Sequence, residues 1–76
     1  MQAQDIEKKL LQSIPDAKIK LKDLTGGGDH WALDIETEAF ATLSLVEQHQ
    51  LVYKALGDLM KREIHALALN TKIPSA

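Results

Sequence analysis

The chain has 76 residues and a formal net charge of −2 at pH 7, with 45% hydrophobic and 26% charged residues, proportions that argue against disorder. This length predicts one small domain over residues 1–76, with flexible ends at 1–3 and 74–76. The chain contains no cysteine. This absence excludes disulfides, zinc–thiolate clusters, thiol nucleophiles and a self-sufficient iron–sulfur site.

The N-terminal sequence MQAQDIEKKLL lacks the continuous apolar segment of a secretory signal. No apolar run reaches the ~18–20 residues that a membrane-spanning helix needs. We therefore expect a cytoplasmic protein that does not enter a membrane.

The first predicted element is an amphipathic helix from Gln4 to Ile14, which Pro15 ends. Two strands follow, because residues 17–24 alternate apolar side chains with lysines and residues 30–38 alternate again. The glycines and aspartate at 26–29 predict a flexible turn able to adopt positive φ. The two strands should form an antiparallel hairpin whose solvent-facing lysines pair with carboxylates.

A longer helix is predicted next. Ser44 and Glu47 form a capping box at its start, and Gly57 is expected to interrupt it. Its apolar stripe includes one histidine: Leu45, His49, Val52, Leu56 and Leu59.

The final strand, 64–73, places His65 on the same face as its leucines. Ala66 and Ala68 fall on the opposite face, where small side chains would let another layer approach. The order helix, strand, strand, interrupted helix, strand predicts an α/β (α+β) fold, with helices covering one face of a three-stranded sheet.

The histidines are the candidate functional residues. His65 opens a strand, either as a hydrogen-bonded structural residue or as a metal ligand, because a neutral imidazole offers one lone pair. His49 lies in the apolar stripe and is interpreted as a structural histidine, whose buried ring needs partners for both nitrogens. His30 faces solvent beside the glycine turn, as a surface residue or a metal ligand, and Asp29 next to it is able to orient it.

The sequence does not indicate an enzyme. No carboxylate lies in an apolar context that would raise its pKa for acid–base chemistry, and no nucleophile is paired with a base. The run Gly26–Gly28 lacks the following helix and the GK[ST] ending of a phosphate-binding loop.

Taken together, these residues resemble the BolA family over nearly the whole chain. Four elements carry the resemblance: Gly-Asp-His-Trp at Gly28–Trp31, Glu-Ala-Phe at Glu38–Phe40, V-x-Q-H-x-x-V-Y at Val46–Tyr53, and Ile-His-Ala-Leu at Ile64–Leu67. Their combination is specific, and the chain resembles most the short bacterial-type members.

The resemblance implies a class II KH-like fold with a mixed three-stranded sheet. It also implies partnership with a monothiol, CGFS-type glutaredoxin, in iron–sulfur cluster trafficking, iron or redox regulation, or a stress response. The two proteins would share a bridging 2Fe–2S cluster, with a cysteine from the glutaredoxin, a bound glutathione, and a histidine from the last strand, here His65. Alone, the protein is expected to hold no cofactor.

A second family ligand, His or Cys, comes from the loop between the first two strands. This chain has glycine at 26–28 instead. The nearest substitute is His30, which matches a family histidine that is not the usual loop ligand. Imidazole ligands combined with partner thiolates would give a mixed site of raised reduction potential.

Two alternatives remain open from the sequence. A KH-like fold suggests a nucleic-acid-binding transcriptional regulator, but KH modules clamp the backbone with a GXXG loop. The segment Ala55–Asp58 has one glycine and an acid, and the net charge is acidic. The other alternative is a purely structural interaction protein. We expect a monomer or a weak homodimer.

Overall fold

The fold is organised around a three-stranded sheet with helices on one face. The computed structural model describes residues 2–74. Its elements, in chain order, are α1 (Ala3–Ser13), β1 (Lys18–Asp23), β2 (His30–Glu36), a 3-10 helix (Glu38–Phe40), α2 (Leu45–Leu56), α3 (Leu59–Arg62) and β3 (Ala66–Lys72). No helix among the described residues is long and apolar enough to cross a membrane.

The central strand β2 determines the arrangement of the sheet. It pairs antiparallel with β1, so that Lys18 lies opposite Glu36, and parallel with β3, so that His30 lies opposite Ala66. A parallel pair requires a crossover connection, which α2 and α3 supply. The predicted mixed three-stranded sheet is therefore confirmed, and the parallel pairing brings the starts of β2 and β3 side by side.

The core lies between the sheet and the helices. Alternate residues of β2 are buried in it, as expected for a strand with one wet face. The buried apolar set is Ile6, Leu10, Ile14, Trp31, Leu33, Ile35, Phe40, Val52, Ala55, Leu56 and Ile64. Ala66 and Ala68 are exposed on the opposite face, where the described residues supply no second layer.

The buried face of α2 differs from the predicted stripe. Leu45 is 63% exposed and His49 is half-buried, whereas Gln48 is only 8% exposed. The Gln48 amide donates to the Leu43 carbonyl oxygen at 3.1 Å and accepts from the Thr71 hydroxyl at 2.6 Å. Because these bonds satisfy the amide, burial of a polar residue is tolerated. Gln48 therefore takes the buried position predicted for His49, while Val52 and Leu56 are buried as predicted.

Both ends of α2 agree with the prediction. The Glu47 N–H donates to the Ser44 hydroxyl at 3.3 Å, and the Ser44 N–H donates to the Glu47 carboxylate at 2.9 Å, which confirms the capping box. The helix ends at Gly57, whose φ of 54° and ψ of −125° strongly favour glycine. The predicted interruption is thus confirmed, and it separates α2 from α3.

The 3-10 helix after β2 was not predicted. The fully buried hydroxyl of Thr37 donates to the Asp16 carboxylate at 2.8 Å and accepts from the Ala39 N–H at 3.2 Å. The Glu38 N–H donates to the same carboxylate at 3.2 Å. These bonds turn the chain out of the sheet, so β2 ends at Glu36 rather than at residue 38.

The predicted flexible ends lie partly outside the described residues, since Met1, Ser75 and Ala76 are not among them. Within the described part, Gln2 is the N-cap of α1 and Ala3 is its first residue. The first helix therefore begins one residue earlier than the sequence predicted.

Candidate functional site: a histidine pair joined by Asp29

The candidate site lies where the parallel strands β2 and β3 begin. The Asp29 carbonyl oxygen accepts hydrogen bonds from the backbone N–H of His65 at 2.8 Å and of Ala66 at 3.3 Å. These two bonds attach the end of the glycine loop to the start of β3. His65 therefore precedes the strand, which begins at Ala66 rather than at residue 64.

The side chain of Asp29 lies between two imidazoles. Its Oδ1 is 3.0 Å from Nδ1 of His30, and its Oδ2 is 3.5 Å from Nδ1 of His65. The two rings are edge to face, with centroids 6.2 Å apart. The fold thus brings together the two histidines that the sequence analysis proposed as ligands, and we call His30, Asp29 and His65 the histidine pair site.

The charge of Asp29 is favoured by this setting. The hydrogen bond with the His30 side chain lowers the pKa of the Asp29 carboxyl, and partial burial opposes that effect. Asp29 is therefore ionised at neutral pH. An ionised carboxylate is only an acceptor, so Nδ1 of His30, which is hydrogen-bonded to it, acts as the donor.

The histidine pair site is open to other molecules. The side chain of His65 is 64% exposed, that of His30 41% and that of Asp29 36%. Because each Nδ1 faces Asp29, each Nε2 is the nitrogen left for an external ligand. Within residues 2–74, no three His, Asp or Glu side chains are grouped so as to hold a metal ion.

The glycine loop beside the site is held in place by Asp23. The Asp23 carboxylate accepts from the backbone N–H of Thr25 at 3.2 Å, of Gly26 at 2.9 Å and of Gly28 at 3.0 Å. The Gly28 carbonyl oxygen accepts from the indole N–H of the buried Trp31 at 3.0 Å. The predicted turn with positive φ is confirmed at Gly26 and Gly28, and these hydrogen bonds, which were not predicted, give the loop a defined shape.

His49 is not part of this arrangement. Its half-buried ring lies edge to face with Tyr53 on the next turn of α2, at 6.4 Å between centroids. The buried polar contacts of α2 are made by Gln48 instead. A structural role for His49 stays a prediction.

The contact between Asp29 and His65 was not predicted, because the sequence pattern pairs Asp29 only with its neighbour His30. The missing information was the parallel pairing of β2 with β3, because residues 29 and 65 are far apart in the chain. The Ile-His-Ala-Leu element at the start of the last strand was the available signal.

The open face of the sheet is charged at the end away from the histidine pair site. The register places Lys18 opposite Glu36 and Lys20 opposite Asp34, with 4.0 Å between Nζ of Lys18 and the Glu36 carboxylate. The predicted pairing of hairpin lysines with carboxylates is thus confirmed for these two lysines, whereas Lys22 lies opposite Ala32.

The fold and the site together define a class: small mixed α/β proteins with helices on one sheet face and ligand-type side chains at the start of two parallel strands. Residues 9–76 match the model of the family described as BolA-like protein. The chain belongs to the BolA family.

Individual relatives agree with this assignment. The chain is 41% identical over 69 residues to the uncharacterized protein RP812 of Rickettsia prowazekii, covering 91% of this chain and 90% of that protein. It is 40% identical over 67 residues to BolA-like protein 3 of Homo sapiens, covering 86% of this chain and 62% of the human protein.

A solved structure, the BolA domain of SufE1 from Arabidopsis thaliana, superposes with a TM-score of 0.84 at 29% identity, over 97% of this chain and 95% of that one. This likeness confirms the predicted fold class. It also shows that the same fold occurs as a domain of a SufE-like protein.

Proposed function

We propose that this protein is an accessory factor that binds a monothiol, CGFS-type glutaredoxin and shares the ligation of a bridging 2Fe–2S cluster. The observation that supports the proposal is the histidine pair site. Two solvent-accessible imidazoles lie edge to face, and Nδ1 of each faces the same carboxylate. This is the arrangement in which a carboxylate orients a ligating histidine.

The donor set fits a shared cluster. Imidazole nitrogens ligate iron in mixed histidine–cysteine clusters, whose reduction potentials exceed those of all-thiolate clusters. His65 would be the principal ligand from this chain and His30 the second, while the glutaredoxin cysteine and glutathione would supply sulfur. The cluster would supply one-electron redox chemistry, and this chain would bind, orient and expose its imidazoles.

The comparisons support an iron–sulfur-related role. An Arabidopsis relative named SufE-like protein 1 is 41% identical to this chain over 49 residues, which are 64% of this chain and 13% of that protein. The presence of a BolA domain in a SufE-like protein is consistent with cluster metabolism, and the glutaredoxin partner is our proposal.

The test has two parts. First, the apoprotein is titrated with a purified CGFS glutaredoxin, to measure complex formation without the cluster. Second, iron, sulfide and glutathione are added anaerobically, and absorption and circular dichroism in the visible range are recorded. We expect a spectrum that differs from that of the glutaredoxin alone and that changes in His65→Ala but not in the matched control His49→Ala. An identical spectrum for wild type and His65→Ala would contradict the assignment.

The nucleic-acid alternative has one observation in its favour. Lys18, Lys20 and Lys22 form an exposed row along β1, although carboxylates of β2 lie opposite two of them. If this row binds phosphates, Lys20→Glu and Lys22→Glu should each weaken binding and reduce its salt dependence. A titration of labelled DNA and RNA that shows no binding at low salt would eliminate this alternative.

A further inference from the structure

We infer that Asp29 is a positioning residue that fixes the tautomer of both histidines, with hydrogen on Nδ1 and a lone pair on Nε2. The use of those lone pairs on a cluster rests on the proposed function above. The tautomers themselves are a property of the isolated protein, so they are testable without any partner.

The geometry of the carboxylate carries the inference. One oxygen contacts Nδ1 of His30 and the other contacts Nδ1 of His65, at 3.0 Å and 3.5 Å. Since a carboxylate offers only acceptors, Nδ1 of His30, at hydrogen-bond distance, must carry the hydrogen. The negative charge 3.5 Å from Nδ1 of His65 favours a hydrogen on that nitrogen as well. A neutral imidazole has one hydrogen, so each Nε2 keeps its lone pair.

Asp29 is itself held from several directions. Its carbonyl oxygen accepts from the backbone N–H groups that begin β3, and its Oδ1 lies 3.3 Å from the hydroxyl of Thr25, which donates to it. The loop, β2 and β3 therefore meet at this one residue. Because the backbone of Asp29 is fixed, its carboxylate holds the two imidazole rings in their orientations before any metal binds. Such preorganisation is the usual requirement for a well-formed site.

Gly27 leaves room for this carboxylate. A Cβ atom built at Gly27 would lie 3.2 Å from Oδ1 of Asp29 and 3.4 Å from Oγ1 of Thr25, and the first distance is shorter than an ordinary van der Waals contact. A side chain there would press on the group that contacts His30. The glycine loop, which lacks the family's loop ligand, is thus compatible with an orienting role for Asp29.

The experiment is nitrogen-15 NMR of the imidazole rings in the apoprotein, recorded as the pH is raised until the ring signals no longer change. Long-range proton–nitrogen spectra distinguish the two tautomers directly. We expect His30 and His65 to populate the Nδ1–H form predominantly. His49, which faces Tyr53, serves as the internal reference.

Two variants test the cause. In Asp29→Ala, both rings should move towards the tautomer mixture of an unconstrained imidazole. In Asp29→Asn, the amide oxygen still accepts from one ring while its NH₂ donates to the other, so one ring should change and one should not. Asp34→Asn, on the exposed face of β2, is the matched control and should change neither ring. Amide spectra report whether each variant is folded.

Retention of the Nδ1–H form by both rings in a folded Asp29→Ala variant would overturn the inference. A second readout follows the glutaredoxin complex, in which Asp29→Ala should weaken cluster retention by about 10–100-fold. If Asp29→Ala shifts the tautomers but His30→Ala and His65→Ala leave the cluster spectrum unchanged, the proposed function fails while the positioning role stands.

Discussion

The backbone N–H of His65 donates a hydrogen bond to the carbonyl oxygen of Asp29 at 2.8 Å. This bond joins a loop residue to the residue that precedes the last strand, and it depends on the parallel pairing of β2 and β3. The histidine pair site is therefore a product of the sheet: it forms only when the last strand has docked. Core mutations that weaken docking of the last strand should therefore disturb the histidine pair site, even where the mutated residue does not contact the site.

The first prediction concerns the buried hydroxyl of Thr37. Thr37→Val keeps the shape but removes the hydrogen bonds with Asp16 and with the Ala39 N–H. Loss of these partners should lower the free energy of unfolding by about 1–3 kcal/mol, measured by urea denaturation. The control Thr42→Val, at an exposed position, should stay within about 0.5 kcal/mol of wild type. Equal stability of the two variants would contradict the proposed packing.

The second prediction separates Gln48 from its neighbours on α2. Gln48→Leu leaves the Leu43 carbonyl oxygen without its partner and the Thr71 hydroxyl without its acceptor. We expect a loss of about 1–3 kcal/mol in the free energy of unfolding. Gln50→Leu, at an exposed site two residues away on the same helix, should change stability by about 0.5 kcal/mol or less. A larger loss of stability in Gln50→Leu than in Gln48→Leu would mean that a different face of α2 is buried.

The third prediction concerns acid. The hydrogen bond from Thr37 lowers the pKa of Asp16, and hydrogen bonds from Ser44 lower the pKa of Glu47. A carboxyl with a lowered folded-state pKa stabilises the fold above its unfolded pKa, near 4. That stabilisation is lost as the pH falls through the folded-state value.

Unfolding in urea, measured at intervals from pH 7 to about pH 3, should therefore show stability declining below about pH 4. Asp16→Asn and Glu47→Gln should each flatten the decline, because each removes one of the titrating groups. Glu7→Gln, at an exposed position on α1, serves as the control variant. A stability that stays constant or rises on acidification would contradict the assignment of these pKa shifts.

The fourth prediction uses Gly57, at the end of α2. A Cβ atom there would lie no closer than 3.8 Å to its nearest neighbours, so the cost of Gly57→Ala is conformational rather than steric. Its φ of 54° and ψ of −125° should make the substitution cost about 1–3 kcal/mol. The mirror image of this conformation lies in the favourable extended region for an L-residue.

D-alanine at position 57, introduced by chemical synthesis of the chain, should therefore recover most of the lost stability. If L-alanine and D-alanine have equal effects on urea denaturation, then backbone conformation does not explain the glycine.

Much of the fold was predictable because short-range periodicity determines it. Alternation predicted β1 and β2, the Ser44–Glu47 capping box located the start of α2, and Gly57 marked its end. These signals depend on residues within a few positions of one another. The order of the elements predicted a three-stranded sheet, and the family resemblance implied that its pairing is mixed.

The rest depended on contacts between distant residues. The predicted stripe of α2 was wrong at Leu45 and His49, because Gln48 finds its partner, Thr71, on the last strand, which makes burial of an amide favourable. The turn after β2 depends on Asp16 and Thr37, which are 21 positions apart. In the site, His30 and His65 were proposed separately, and only the parallel pairing places both rings against Asp29.

The central claim is that an imidazole nitrogen of this chain ligates the shared cluster. The most direct measurement uses protein labelled with nitrogen-15 at histidine only, combined with unlabelled CGFS glutaredoxin, iron, sulfide and glutathione. After one-electron reduction, pulsed paramagnetic resonance records nitrogen-15 hyperfine coupling to the cluster. We predict strong coupling in wild type and in His49→Ala, and loss or marked reduction of it in His65→Ala. A loaded wild-type complex without nitrogen-15 coupling would contradict the claim.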